Sequence, residues 1–452
     1  MFIVLSLFTL YLFLIGYVPN SFLRARGRLL FEQAALTLSL GILINYCLML
    51  TGQPIPRVLV AGTILALWGV LRFWTDLRSR FANRAGDYTP PVFAVCFIAY
   101  VLFVYYLAIF SEPLERWDAR SIWFFHAKMI WTAGALSQQT GWNHPSLAFS
   151  HPDYPKLVPV IAAQLAYVKG YWNEFLPKGS LLVMLVPLTL WVFSFRQKSV
   201  SFILLVLTFF FSLGVAWLAN GFMDGYLALY CGAALLSFGR YLSERRDTDL
   251  RSGVCALGIA ASLKNEGLLF ALCLITSLLL ISQVYPEFTF RQAAKRIRTD
   301  SRLARILIIS IAPTLMWTIC KMTWGLENDV AGDPLNAWSR LSNRWVDGFS
   351  AHYVLNYLTQ RTTTLWVAIG LLLITAIFSV HQKSTLHRGA LIAVTTSALY
   401  FCGLYVAYLS TPLDLNFHLG TSAIRTMATA GTALLVGLFF LLSGLEVNEG
   451  VQ

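Results

Sequence analysis

Charge is scarce along this chain: Asp, Glu, Lys and Arg make up 12% of its 452 residues, about half the share of a soluble domain. The motifs that handle cytosolic nucleotides are missing too. There is no GxxxxGK[ST] loop, no glycine-rich dinucleotide turn, no HExxH helix and no zinc-type spacing of Cys and His, which removes P-loop, Rossmann and zincin chemistry. The seven cysteines (Cys47, Cys96, Cys231, Cys255, Cys273, Cys320 and Cys402) include no CxxC pair. Each falls in an apolar stretch, so they read as small hydrophobes and exclude a disulfide framework. Lys and Arg outnumber Asp and Glu, 34 to 22, but are not interleaved with aromatics in one patch, so nucleic acid is not the expected partner.

Apolar residues fill the space that charge leaves. With 57% hydrophobic residues and a mean hydropathy of +0.64, the chain belongs to the polytopic membrane class. A crossing needs ~20 apolar residues, and the candidate spans are 2–18, 29–50, 56–73, 91–110, 179–195, 200–218, 222–239, 252–263, 267–282, 303–323, 363–380, 389–409 and 424–444. The first lacks a basic leading region and a small-residue cleavage site, so it reads as a retained helix. With the N-terminus outside, the inward loops hold Arg24, Arg26, Arg28, Arg72, Arg78, Arg80, Arg84, Arg196, Lys198, Arg240, Arg245, Arg246, Arg251, Arg291, Lys295, Arg296, Arg298, Arg302, Lys383 and Arg388. That majority of the basic residues predicts N-out, C-in.

One segment decides this topology. Residues 156–172 are apolar but contain Pro159 and Lys169 and are at the lower limit of length for a span. If they crossed, the arginine-rich loops at 240–251 and 291–302 would lie outside, so they are expected to form a helix lying in or dipping into the outer interface. The fold expected is therefore an all-α polytopic membrane protein of about 13 transmembrane helices. Residues 111–178 and 324–362 become outward segments, both rich in Trp, and Ala119 to Trp131 reads as an interfacial helix.

Four acid-containing clusters then share the outward face, where a carboxylate is costly unless it works or is paired. Glu115-Arg116-Trp117-Asp118-Ala119-Arg120 follows the span 91–110 and has the setting of a general base, or of an interfacial loop whose acids pair with Arg116 and Arg120. His151-Pro152-Asp153-Tyr154-Pro155-Lys156 is a turn stiffened by two prolines, suited to presenting a His, an Asp and a Tyr at fixed positions. Asp224 sits at the outer end of its span, where the helix dipole alone would also favour it. Lys264-Asn265-Glu266-Gly267 breaks two apolar stretches, either lining a cavity or forming a structural ion pair. A fifth cluster holds His418, Thr421, Ser422 and Arg425, whose amides, hydroxyls and guanidinium suggest an anion cradle at a helix start.

In this order, these residues resemble the GT-C superfamily of integral-membrane glycosyltransferases, which includes protein O-mannosyltransferases and lipid A aminoarabinose transferases. The matching positions are Asp118 with Glu115, the His151–Pro155 turn, Asp224, and Lys264 to Gly267. The resemblance covers roughly residues 91–444 as a catalytic membrane core, after a three-helix segment (1–90) and before a short cytoplasmic tail (445–452). It implies a polyprenyl-phosphate-linked sugar donor and an acceptor hydroxyl on a glycan, lipid or protein, with inversion at the anomeric carbon. Asp118 would be the base, with Glu115 as alternative or second carboxylate, and Arg425 and Lys264 would hold the donor phosphate. Arg120, Lys128, His151, Asp153, Tyr154, Asp224, Glu266 and His418 would line the substrates. The implied location is a membrane of the bacterial inner type, with the site facing the periplasm or exterior. Glu-x-x-Asp stands where relatives carry a paired acid, so no cofactor follows and a divalent metal stays open. Competing readings are a polymerase or ligase of lipid-linked glycans and a polyprenyl-lipid flippase, the latter predicting internal repeats that the sequence does not display.

Overall fold

The computed structural model describes residues 1–21, 28–82, 92–195, 200–210, 215–285, 290–327, 334–360, 366–367, 369–374 and 387–449. Among them every regular element is a helix and no strand forms. In chain order these are α1 (Phe2–Tyr17), α2 (Arg28–Leu50), α3 (Ile55–Ala82), α4 (Val92–Ser111), α5 (Phe124–Ala133), α6 (Leu157–Lys169), α7 (Gly179–Ser194), α8 (Val200–Phe210) and α9 (Val215–Ala219). They continue as α10 (Met223–Glu244), α11 (Asp247–Leu263), α12 (Asn265–Val284), α13 (Phe290–Thr299), α14 (Ser301–Trp324), α15 (Pro334–Val346), α16 (Phe349–Gln360), α17 (His387–Ser410) and α18 (Leu415–Glu449). Among the described residues eight helices are long and apolar enough to cross a membrane, the signature of a multi-pass integral membrane protein. The span expected at 363–380 falls largely outside the described residues.

The exposed surface agrees with that class. On α3, Val60, Ile64, Leu67, Trp68, Leu71 and Trp74 all lie on one exposed face, and Ile308, Ile311, Leu315, Ile319 and Met322 do the same on α14. Such stripes at helical spacing suit hydrocarbon and would aggregate in water. By contrast α2, α7 and α18 are enclosed along most of their length and, with α10, form the centre. Small residues allow the tightest crossing: a Cβ at Gly16 of α1 would lie 1.8 Å from the Thr37 carbonyl oxygen of α2, so only glycine fits.

The helix expected at 156–172 forms at Leu157–Lys169 and dips into the bundle rather than lying flat on it. Helix α6 is buried on every side from Leu157 to Ala166, packed against α5, α7 and α2, with Asn45 and Gln164 exchanging two side-chain hydrogen bonds of 2.7 and 3.1 Å. An apolar sequence with no polar stripe belongs inside a bundle rather than at an interface. Its 13 residues extend only ~20 Å, short of a full crossing.

The two ends of the bundle carry different chemistry. At one, which we term the basic end, Arg240 of α10 bonds Glu32 of α2 (2.8 Å) and Asp249 of α11 (2.5 Å), and Ser252 donates to Glu32 (3.0 Å). Arg251–Asp300 and Arg296–Asp247 pairs tie α11 to α13 and α14 there. At the other end, α10 and α12 begin, α11 and α14 finish, and the acidic clusters meet.

Candidate functional site

Local conformation brings Asp118 and Asp224 to one place. Residues Ala119–Trp123 form a single π-helical turn directly after Asp118, a wide turn that occurs often at functional positions. Across from it, Gly221 takes a left-handed conformation (φ 78°), and a Cβ there would stand 3.2 Å from the Ala119 Cβ. The glycine thus reverses the chain between α9 and α10 and allows the π turn to pack against that reversal. Asp224 then emerges from the first turn of α10.

Five charged side chains from five segments form one ionic chain. Arg425 of α18 pairs with Asp118 and lies 3.7 Å from Asp224; Lys264, the extended residue joining α11 to α12, pairs with Asp224 at 2.8 Å and with Glu266 at 3.0 Å. Three carboxylates and two cations leave a net charge of −1. The chain is graded in depth, because the Asp224 and Lys264 side chains are 4% and 7% exposed while Asp118, Arg425 and Glu266 reach 17–21%. Deep Asp224 and Lys264 hold the outer groups in position.

Aromatic rings wall this chain. The Lys264 ammonium stands 5.5 Å from the Tyr154 ring centroid, and the Arg425 guanidinium 5.4 Å from that of Phe222. Tyr154 is itself stacked between His151 (5.0 Å) and Trp123 (5.6 Å). His151 adopts φ 52°, unusual for a residue with a side chain, at the end of a 3-10 turn (Pro145–Ser150). His418 lies 4.8 Å from the Tyr408 ring, whose hydroxyl meets Ser422 and Thr426. Two buried polar atoms, Glu266 Oε2 and Trp123 Nε1, have no hydrogen-bond partner among the described residues. Leaving such atoms unmatched costs about 1–3 kcal/mol each, which a polar ligand would recover.

Behind Tyr154 lies a buried group that sequence reading left unassigned. Lys156 is wholly enclosed, donates to the Pro152 carbonyl (2.8 Å), contacts His126 Nδ1 (3.2 Å) and lies between the faces of Trp142 and Trp317. Asn265 donates to Asp153 Oδ2 (2.6 Å) and the Trp317 indole N–H to the Asp153 carbonyl (3.1 Å), so the proline-stiffened turn is fixed from both sides. Its attachment to Asn265 places it next to Lys264. Burial drives both Lys156 and His126 well below their usual basicity, and their mutual charge lowers His126 further.

The sign of this effect gives a prediction. His126 binds its proton less readily folded than unfolded, so between its folded pKa and ~6.5 the unfolded chain holds more protons and stability rises with pH. Thermal unfolding of purified protein is therefore expected to shift downward from pH 7 to pH 5, at up to ~1.4 kcal/mol per pH unit. His126→Asn is expected to make the dependence shallower by the share of His126, leaving the contribution of the same sign from Lys156, and an equally steep profile in that variant would remove His126 as a source.

The expected site is thus gathered in part. Asp118, Asp224, Lys264, Glu266 and Arg425 are linked, with Asp153, Tyr154 and His151 behind them and His418 on the α18 side. Glu115, Arg120 and Lys128 are exposed and make no side-chain ion pair or hydrogen bond with the cluster among the described residues. Glu115 instead acts on Lys178, together with Glu112 and Glu174. The expected anion cradle at Thr421 and Ser422 is corrected: α18 begins at Leu415, so these hydroxyls lie inside the helix and donate to the Phe417 and His418 carbonyls. Among the described residues no group of three or more His, Cys, Asp or Glu is placed to hold a metal ion. Comparison with protein-family models, with curated proteins and with solved structures finds no match to this chain.

Proposed function

We propose that this protein is a membrane glycosyltransferase that moves a sugar from a polyprenyl-phosphate donor to an acceptor hydroxyl on a glycan, lipid or protein, at the non-cytoplasmic face. The observation that carries the reading is the ionic chain Asp118–Arg425–Asp224–Lys264–Glu266, assembled at the end of the bundle opposite the one that holds Arg240, Arg251 and Arg296. By the positive-inside rule the basic end is cytoplasmic and the site lies outside, in a topology of about 13 spans with the N-terminus out. This is where a lipid-anchored phosphate, held at the membrane surface, meets a water-soluble or lipid acceptor.

The reaction follows from the groups present. The acceptor oxygen attacks the anomeric carbon as its proton passes to Asp118. The bond from that carbon to the phosphate oxygen breaks, its electron pair stays with the phosphate, and Arg425 stabilises the polyprenyl phosphate that leaves, with the charge of Lys264 acting from behind Asp224. Attack opposite the leaving group inverts the anomeric centre.

A carrier would place its substrate groups near the bilayer midplane, reachable from both faces. Here Asp224 and Arg240 lie sixteen residues, or ~24 Å, apart on α10, and the side chains between them on that helix carry no charge. The test is reconstitution: purified protein in liposomes is expected to release polyprenyl phosphate from a polyprenyl-phosphate sugar in step with glycosylation of an added acceptor. No release across a panel of hexose and pentose donors would end this reading.

A further inference from the structure

The ion pair between Asp118 and Arg425 presents a conflict for the mechanism just given. A carboxylate engaged by a guanidinium is not available to take a proton, and a guanidinium engaged by a carboxylate is not available to a phosphate. We infer that the donor phosphate enters by exchange: it displaces Asp118 from Arg425, so that binding of the donor releases the base. This rests on the glycosyltransferase reading and adds an order to it, with donor first and acceptor activation second.

Geometry selects Asp118 as the group that leaves. Asp224 is held by two cations, Lys264 at 2.8 Å and Arg425 at 3.7 Å, and is nearly inaccessible. Asp118 makes its ion pair with Arg425, both side chains are about one-fifth exposed, and it lies in the first turn of its helix, just before the π turn, at the helix end rather than its middle. Glu266 keeps its own partner in Lys264. The reachable pair is therefore the outer one, and a phosphate oxygen forms the same charge-assisted hydrogen bond to the guanidinium that the carboxylate gives up.

Charge balance favours the chemistry that follows. The five groups already sum to −1, so a bound phosphodiester brings the site to −2 with Asp118 displaced beside it. Like-charge repulsion then favours proton uptake by the freed carboxylate, and the proton comes from the acceptor hydroxyl. In the absence of donor the base stays engaged with Arg425, and an acceptor alone is not activated.

The test uses the full chain in nanodiscs with farnesyl phosphate as the probe. Wild type is expected to bind it, Arg425→Met to lose binding, and Asp118→Asn to bind at least about tenfold more tightly because the competing charge is gone. Asp118→Ser is a second variant in case the first folds poorly, with the same expectation. Affinity unchanged or weakened in both Asp118 variants, with Arg425→Met still defective, overturns the exchange but leaves the phosphate site of the proposed function standing. No binding to any form overturns both.

Discussion

Asp118→Asn is expected to lower glycosyl transfer by about 10²- to 10⁴-fold, the range for loss of a general base, while leaving the protein folded. Asparagine retains the size of the side chain and an oxygen that accepts from Arg425, so what is lost is the ability to take a proton. The exchange described above adds a second signature, because the same variant binds the donor phosphate more tightly. A merely structural aspartate would show lower activity and weaker binding together. Glu115→Gln serves as the comparison, since Glu115 is exposed and outside the ionic chain, and near-normal activity is expected there. More than a tenth of wild-type turnover in Asp118→Asn would remove Asp118 from the role.

The second large effect is structural and lies at the opposite end. Arg240→Met is expected to destabilise the protein by about 3–5 kcal/mol, the cost of removing one partner from a buried charged group. Glu32 is 1% exposed, Asp249 has no measurable exposure, and the guanidinium joins three helices by bonding both. Met fills the space of the Arg stem but leaves Glu32 with only the Ser252 hydroxyl. Thermal unfolding in detergent measures the loss. Adding Glu32→Gln and Asp249→Asn is expected to recover much of it, since neutral groups need no counter-charge. An unchanged melting temperature in Arg240→Met would show that the network carries no stability.

Much of the arrangement was legible in the chain because charge is rare in it. In an apolar sequence each carboxylate stands out, and counting Lys and Arg by loop is enough to assign Asp118, Asp224, Lys264 and Arg425 to one end. The pairings were not legible. Asp118 and Arg425 are 307 residues apart, and no local pattern encodes a contact of that range. Choosing Asp118 over Glu115 is beyond periodicity, since both lie within the four residues that lead into the first helix after α4. Lys156 was visible within the proline turn, but a lysine before an apolar helix reads like any solvated helix start. Its burial arises from Trp142 and Trp317 closing over it. Glu32 left a usable signal, as a lone acid early in an otherwise apolar span. The depth of helix α6 is not legible in the chain, because an apolar segment too short to cross can lie at a surface or inside, and only the packing of α2, α5 and α7 around it decides.

Helix α10 carries Asp224 at one end and Arg240 at the other, ~24 Å apart along a continuous rod. That is less than the ~30 Å hydrocarbon thickness of a typical bilayer. Because α10 is enclosed by its neighbours, both charged groups are shielded from lipid and their spacing is set by the helix itself, so bilayer thickness acts on the outer, lipid-facing helices before it reaches this axis. The separation of the two ionic clusters is thus a property of the fold that a change of acyl-chain length leaves in place.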